Sequence, residues 1–468
     1  MTGERSTKAW VLALTSLGSF MVALDAMVVS TALSTIQRDF DASIATLQWA
    51  MNAYNLSLAV LLLSGAALGD RFGRRRIFVG GLCLFVAASA GCALAETAAW
   101  LIMARALQGV GAALMMPLAM ALLSAAFPPA ERGKALGLFG SITGLALIVG
   151  PVLGGAIAES VAWQWIFWIN IPIGAVLVPL ARRRIPESFG PRAALDVPGV
   201  VLATAAAFGC VWGLVRGNAA GWSSGEVSLA LGAGAGLAVL FVAWELRARE
   251  PMVPMRFFRA RAFSSGIAAS FLFYAAMYGV LFLLPQFFQA AQGHDPLGAG
   301  LRLLPWEATL LVTAPVAGRL INQVGERPFV VVGLILQAVG LAWVAILASP
   351  DVPYIRLAAP LVIAGIGVSA AMPTAQNAVL GSVAKTEVGK ASGIFNMLRF
   401  LGGMFGIAVA AAIFGHAGSF DTAQTFAAGF AAALRVSAAL SIVGAAVALW
   451  LPGRRSLRPA PAPALSRS

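Results

Sequence analysis

The chain has 468 residues, of which 60% are hydrophobic and only 11% charged, with a formal net charge of +13 and a mean hydropathy of +0.86. A soluble domain carries about 25% charged residues, so this composition excludes an ordinary water-soluble globule and points to a chain that lives in lipid. Three cysteines (Cys83, Cys92, Cys210), all within apolar runs, and two histidines (His294, His416) near expected outer loops argue against a disulfide framework and against a metal site. The cysteines are expected to be small buried hydrophobes and the histidines ordinary loop residues.

A spanning helix needs about 20 mostly apolar residues, because backbone polar groups find no partners in lipid. Fourteen stretches qualify, beginning near Trp10, Gln48, Ile77, Ala98, Ala135, Trp165, Val197, Glu226, Phe263, Gly298, Pro328, Leu357, Gly389 and Gly429. The first follows Lys8 like a signal peptide, but it contains Asp25 and lacks a small-residue cleavage site, so it reads as a helix. With the N-terminus inside, only Arg38, Arg216, Arg302 and Arg356 fall on the outer side, and Arg105, Arg399 and Arg435 fall within helices. Every other lysine and arginine lies on inner segments, as the positive-inside rule requires when both termini are cytoplasmic. The expected location is a bacterial-type inner (plasma) membrane. The basic charge is then topological, and no nucleic-acid partner is expected.

The chain repeats itself. Met116-Pro117 through Glu131, Gly133, Lys134, Ala135, Gly137 and Phe139 matches Met372-Pro373 through Glu387, Gly389, Lys390, Ala391, Gly393 and Phe395 at a constant offset of 256, and Gly109 and Gly111 map to Gly365 and Gly367. An all-α integral membrane fold of two pseudo-repeated six-helix bundles, 1–184 and 262–452, is expected, with two helices and their linkers inserted over 185–261 and a disordered cytoplasmic tail over 453–468. The joins carry Arg182 to Arg184 with Pro186 and Pro191, and Arg247 to Arg261 with Pro251 and Pro254.

Between the second and third stretches lie Gly65, Gly69, Asp70, Arg71, Gly73, Arg74, Arg75 and Arg76. Gly65 and Gly69 share a helix face and permit close backbone approach. Asp70, at a helix end amid arginines, is a candidate cytoplasmic latch, and the plainer alternative is that these arginines only set topology. This loop resembles the signature of the major facilitator superfamily, and further marks follow in order. Arg105, Gln108, Gly109 and Gly111 resemble its helix-4 motif, and Gly150, Pro151, Gly154 and Gly155 the motif of its antiporters. Leu24-Asp25 with Val28, Val29, Ala32 and Leu33, and the run Trp163 to Gly174 containing Asn170, resemble the fourteen-helix drug:proton antiporter branch. Met27, Ser30, Thr31 and Ser34 depart from that branch, which favours Thr, Asn, Val and Pro there. The resemblance implies an exporter of drugs, antibiotics or dyes that draws on the proton gradient and needs no cofactor. A metabolite exporter working the same way is the alternative.

A charge at the bilayer centre costs at least ~2.5 kcal/mol, so each intramembrane charge is a functional candidate. Asp25, Arg105 and Glu307, on three helices, are expected in one layer of the outer half of the membrane, Asp25 about 12 Å deep at 1.5 Å per residue. Proton coupling needs a carboxylate whose affinity for protons swings, raised by burial and lowered by a nearby cation. Asp25 fits that need, Arg105 is its candidate counter-charge or a donor to helix-1 backbone, and Glu307 is a candidate for cation specificity. Tyr54, Phe273, Tyr274, Tyr278, Trp306 and Arg399 are candidate cavity residues. No nucleophile elbow, phosphate loop or His/Cys cluster suggests an enzyme. The expected partners are a small-molecule substrate, protons and membrane lipids, and nothing in the sequence specifies a periplasmic adaptor.

Overall fold

The computed structural model describes residues 2–190, 196–384 and 387–453. The expected tail after Gly453, and Pro191 of the first join, lie outside the described residues. Among these residues every regular element is helical. In chain order they are α1 (Thr2–Phe40), α2 (Ile44–Phe72), α3 (Arg74–Ala93), α4 (Ala98–Ala126), α5 (Pro129–Ser160), α6 (Trp165–Trp168) and α7 (Asn170–Arg184). Then come α8 (Val197–Ala220), α9 (Gly225–Arg247), a 3-10 turn over Met255–Arg259, and α10 (Arg261–Gln286), which runs into a π-helical turn over Phe287–Ala291. The rest are α11 (Pro296–Glu307), α12 (Thr309–Val324), α13 (Glu326–Leu347), α14 (Tyr354–Leu380), α15 (Val388–Ala417) and α16 (Ala423–Ala448).

The starts of these helices are legible in the sequence. Ser43, Thr97, Asp196, Ser224, Asp295 and Thr422 each accept a backbone N–H from the first turn that follows, which satisfies donors that a helix start leaves unpaired. Among the described residues, thirteen spans are long and apolar enough to cross a membrane, with α6 and α7 forming one of them. The stretch expected from Gly298 onward is present as two helices in succession, α11 and α12, parted at Ala308. Pro305 lies just before the break; it removes one backbone donor and crowds the preceding turn.

Lys8 near the start of α1 donates to Glu131 in α5 at 3.2 Å, and Arg184 at the end of α7 lies 5.3 Å from the Trp10 ring. Gly266 near the start of α10 packs against Val379 and Leu451. These contacts define a terminal face of the bundle, and the opposite side is called the far face below. Helices α1 to α5 and α7 pack among themselves, as do α10 and α13 to α16. Two seams join these groups, α2 with α15 and α5 with α11. The inserted α8 packs on both α2 and α15, setting Val211 and Val215 against Leu56, Val60, Met404 and Ala408. Trp49 of α2 adds tilted ring contacts to Phe208 and Trp212 at 5.5 and 5.9 Å. Helix α9 folds back on α8, with Gly234 against Cys210.

Three expectations change. Cys92 is buried, but Cys83 is exposed on the outer surface of α3 and Cys210 is half-buried; an apolar run in lipid does not by itself say which face points inward. His416 closes the last turn of α15 instead of lying in a loop. Helix α1 runs on to Phe40, so the depth of Asp25 was counted from too early a helix end.

Candidate functional site

Asp25 on α1 and Arg105 on α4 are each only 2% exposed. Arg105 Nη1 donates to Asp25 Oδ2 at 2.5 Å. Gln108, one turn further along α4, uses both ends of its amide. Its Nε2 donates to Asp25 Oδ1 at 2.8 Å, and its Oε1 accepts from Arg105 Nη1 at 2.8 Å. Asn170 at the start of α7 adds a long donation to Asp25 Oδ1 at 3.4 Å, and it donates to Ser89 Oγ of α3 at 3.0 Å. Ser89 in turn donates to the Phe167 carbonyl at 2.9 Å. Arg105 Nε reaches the Ala50 carbonyl of α2 at 3.3 Å, so the backbone it serves belongs to α2 and not to α1. Its guanidinium carbon lies 4.3 Å from the Tyr54 ring and 5.7 Å from that of Phe167.

A buried ion pair repays its desolvation only when the remaining lone pairs and protons are also bonded; here both Asp25 oxygens and the Nε and Nη1 of Arg105 are bonded. One carboxylate therefore ties α1 to α4 and α7 directly, and to α2 and α3 through its partners. Any change in its charge is felt on five helices. The i, i+3 spacing of Arg105 and Gln108 puts both on one face of α4, and that was readable in the sequence. Ser89 was missed, and Asn170 was noted only as part of a motif.

Glu307 is the last residue of α11 and 9% exposed. Its Oε2 has no hydrogen-bond partner among the described residues. Beside it, Thr309 Oγ1 donates to the Trp306 carbonyl at 2.6 Å and shares a hydrogen bond with Ser369 at 3.0 Å. No bond or ion pair among the described residues links Glu307 to Asp25 or Arg105. Of the three charges, two form a bonded pair and the third is a separate acid at a helix break.

The motif glycines are contact points. A Cβ on Gly109 would lie 2.3 Å from the Tyr54 carbonyl oxygen, and one on Gly111 would lie 2.7 Å from the Phe85 nitrogen. A Cβ on Gly150 would meet Met27, and one on Gly154 the Val28 carbonyl at 2.5 Å, so α5 grips α1 one turn beyond Asp25. A Cβ on Gly155 would lie 2.2 Å from the Pro296 carbonyl, while the Pro151 carbonyl faces Gly300. One segment of α5 therefore holds the charged helix on one side and α11 of the other bundle on the opposite side. Towards the far face that seam is tied by Leu297 N–H to Glu159 at 3.3 Å, and Gln289 bonds the Thr31 carbonyl at 2.9 Å. Towards the terminal face α5 loosens. A Cβ on Gly144 would touch only Leu310 at 3.8 Å, and Gly140 and Gly137 face open space. The α2–α15 seam, by contrast, is still tight near the terminal face, where a Cβ on Gly393 would meet Leu63.

At the terminal end of α2, Gly65 packs on the Ala113 carbonyl and Gly69 on Leu118, both in α4 of the same bundle. Asp70 Oδ1 accepts from Arg74 Nε at 2.7 Å, while Arg71 lies 5.2 Å from the neighbouring Phe72 ring. Gly73 takes φ 108°, a left-handed value that a side chain disfavours. The other arginines turn to Glu187, which accepts the Arg75 backbone N–H at 2.8 Å and lies 3.6 and 3.8 Å from the Arg75 and Arg76 side chains. Gly190 N–H bonds the Asp70 carbonyl at 3.2 Å. The segment after α7 is thus strapped onto the arginine turn, a partnership the sequence reading did not anticipate.

Tyr54, Phe273, Tyr274, Tyr278 and Trp306 are all buried. Phe273 and Tyr274 meet edge to face at 4.7 Å, and Tyr274 contacts Tyr278 and Phe395. Arg399 lies 5.0 Å from the Tyr274 ring. Gln48, Asn52 and Asn55 form an unpredicted buried polar stripe on α2, and neither amide atom of Asn52 has a partner among the described residues.

The family model of the Major Facilitator Superfamily matches residues 15–309 and 266–467, and the chain belongs to that superfamily. It is 34% identical to the multidrug resistance protein Stp of Mycobacterium tuberculosis over 86% of this chain and 75% of the relative. It is also 34% identical to the tetracenomycin C resistance and export protein of Streptomyces glaucescens, over 84% and 73%. With the methylenomycin A resistance protein of Bacillus subtilis it shares 31% identity over 95% and 94%. In fold it is similar to the peptide transporter POT, with a TM-score of 0.68 at 17% identity over 94% of each chain. The D-xylose-proton symporter superposes with a TM-score of 0.67 at 18% identity, over 95% of this chain and 98% of that one.

Proposed function

We propose that the protein exports small amphipathic or apolar compounds, such as drugs, antibiotics and dyes, in exchange for protons across a bacterial inner membrane. The buried Asp25–Arg105 pair, whose bonds reach across five helices, carries this reading. The resistance and export proteins among its relatives support the cargo class. The bias of lysine and arginine supports placing the terminal face in the cytoplasm. The two groups of helices either side of the insertion act as the rocking halves, with α8 and α9 between them.

In the cycle, Asp25 starts bonded to Arg105 and Gln108. A proton arriving from the outer side neutralises it, which weakens the hold of α1 on α4 and α7 and favours release of cargo. Loss of that proton to the cytoplasm restores the pair. Glu307, with an unpartnered oxygen, adjusts preference toward cationic cargo.

The test is dye efflux into inverted vesicles energised by a pH gradient, with variants matched for expression. Asp25→Asn imitates a permanently protonated site, so it should lose acceleration by the gradient while still exchanging dye downhill. Wild-type acceleration in that variant would refute the coupling role. Orientation is checked separately with an impermeant label. The loop 217–225 should label in intact cells and a tag after Gly453 should not.

A further inference from the structure

A cavity of about 420 Å³ opens at the terminal face, away from the charged pair. Leu246 at the end of α9, the linker that follows it, and Lys390 in the first turn of α15 line it. Four cations face it, Arg249, Arg256, Arg259 and Lys390, over an apolar floor that includes Pro254 and Met255. Arg256 is ion-paired with Glu387, which precedes α15. Arg249, Arg259 and Lys390 make no ion pair among the described residues. Elsewhere on this face Arg74 is paired with Asp70, and Arg75 and Arg76 with Glu187.

Position narrows the choice of ligand. The span of α9 ends at Arg247 and that of α15 begins at Val388, so the cavity sits where helices leave the apolar layer. Two carboxylates, Glu245 and Glu250, also line it, and Glu245 already accepts the Val253 N–H at 3.0 Å. With Arg256 committed to Glu387, three cations face two acids, an excess of one that suits a singly charged phosphodiester better than a polyanion. Guanidinium forks match phosphate oxygens, and basic pockets beside spanning helices at a membrane surface take lipid head groups.

We infer that this cavity binds the phosphodiester head group of an anionic phospholipid, with acyl chains against the apolar surface of α9 near Leu246. The lipid would bridge the linker after the inserted pair to α15, one of the two helices on the α2–α15 seam.

The full chain, purified in detergent with added phosphatidylglycerol, is examined by native mass spectrometry. Wild type should retain a bound phosphatidylglycerol. The variant Arg249→Gln/Arg259→Gln/Lys390→Gln should reduce its occupancy at least about tenfold. The charge-preserving variant Arg249→Lys/Arg259→Lys should keep most of it, and Arg182→Gln/Arg183→Gln, on the same face, should keep all of it. Thermal unfolding matched to wild type establishes that the triple variant is folded. Undiminished phosphatidylglycerol in the folded triple variant would overturn the inference, as would equal retention of phosphatidylcholine. Displacement of the lipid by equimolar glycerol phosphate would also overturn it, by assigning the cavity to a soluble phosphate ester.

Discussion

The two sequence repeats meet their neighbours in the same way and differ in charge. In the first, Gly109 of α4 closes on the Tyr54 carbonyl and Ser57 hydroxyl; in the second, Gly365 of α14 closes on the Trp306 carbonyl and Thr309 hydroxyl. Gly111 pairs with Gly81 as Gly367 pairs with Gly333, and Pro117 and Pro373 lie inside both helices at matching places. Yet the position of Arg105 is Leu361 in the second repeat, and the residue after Trp306 is the acid Glu307 where Tyr54 is followed by Asn55. Backbone contacts this close admit only glycine, so the packing skeleton is shared. Charges are under no such steric demand. The first half carries a bonded ion pair, and the second an acid with no ion pair among the described residues.

Breaking the pair should have the largest effect. Arg105→Ala leaves Asp25 buried without its cation, a change that costs about 3–5 kcal/mol. Folded yield on size-exclusion chromatography should collapse, with partial recovery in Arg105→Ala/Asp25→Asn. If the single variant folds as well as the double, the pair is not what holds this site together.

The glycines come next. Gly109→Ala and Gly365→Ala each force a Cβ to within 2.3 Å of a carbonyl oxygen, an overpacking worth about 1–3 kcal/mol. Both should lower the unfolding temperature similarly, but only Gly109→Ala, one turn from Arg105, should also blunt gradient-driven efflux. Equal transport defects would erase the distinction between the halves.

Glu307→Gln should leave stability and neutral cargo unchanged and reduce efflux of cationic dyes by about threefold, under 1 kcal/mol. Uniform loss across neutral and cationic dyes would make Glu307 part of the coupling machinery instead. Smallest is Asp70→Asn, which removes a partly exposed bond to Arg74 worth about 1 kcal/mol. The protein should fold normally and transport more slowly, and an unchanged rate would reduce that turn to a topological signal.

Much of this was legible in the sequence. Apolar run length located thirteen spans and the stretch that became α11 and α12, and the 256-residue offset marked the contact glycines before any contact was known. The isolated charges Asp25 and Arg105 stood out because lipid tolerates so few. What stayed hidden depends on which faces meet. Asn170 and Ser89 are unremarkable polar residues until α7 and α3 are brought beside α1. Glu187 lies in a linker more than a hundred residues from Arg75, a separation over which no local pattern operates. The break after Glu307 was also missed, since Pro305 inside an apolar run permits either a bend or an interruption.

The position of α8 makes the two sides of the molecule unequal for anything dissolved in the bilayer. Where α2 meets α15, Val211, Val215 and the tryptophan contacts form a wall. On the other flank, a Cβ on Gly144 of α5 would touch only Leu310 of α12, Gly140 and Gly137 face open space, and Leu311, Val312 and Val316 are exposed. One flank is thus covered by an added helix and the other is not, a handedness that the near-symmetry of the two repeats would not suggest.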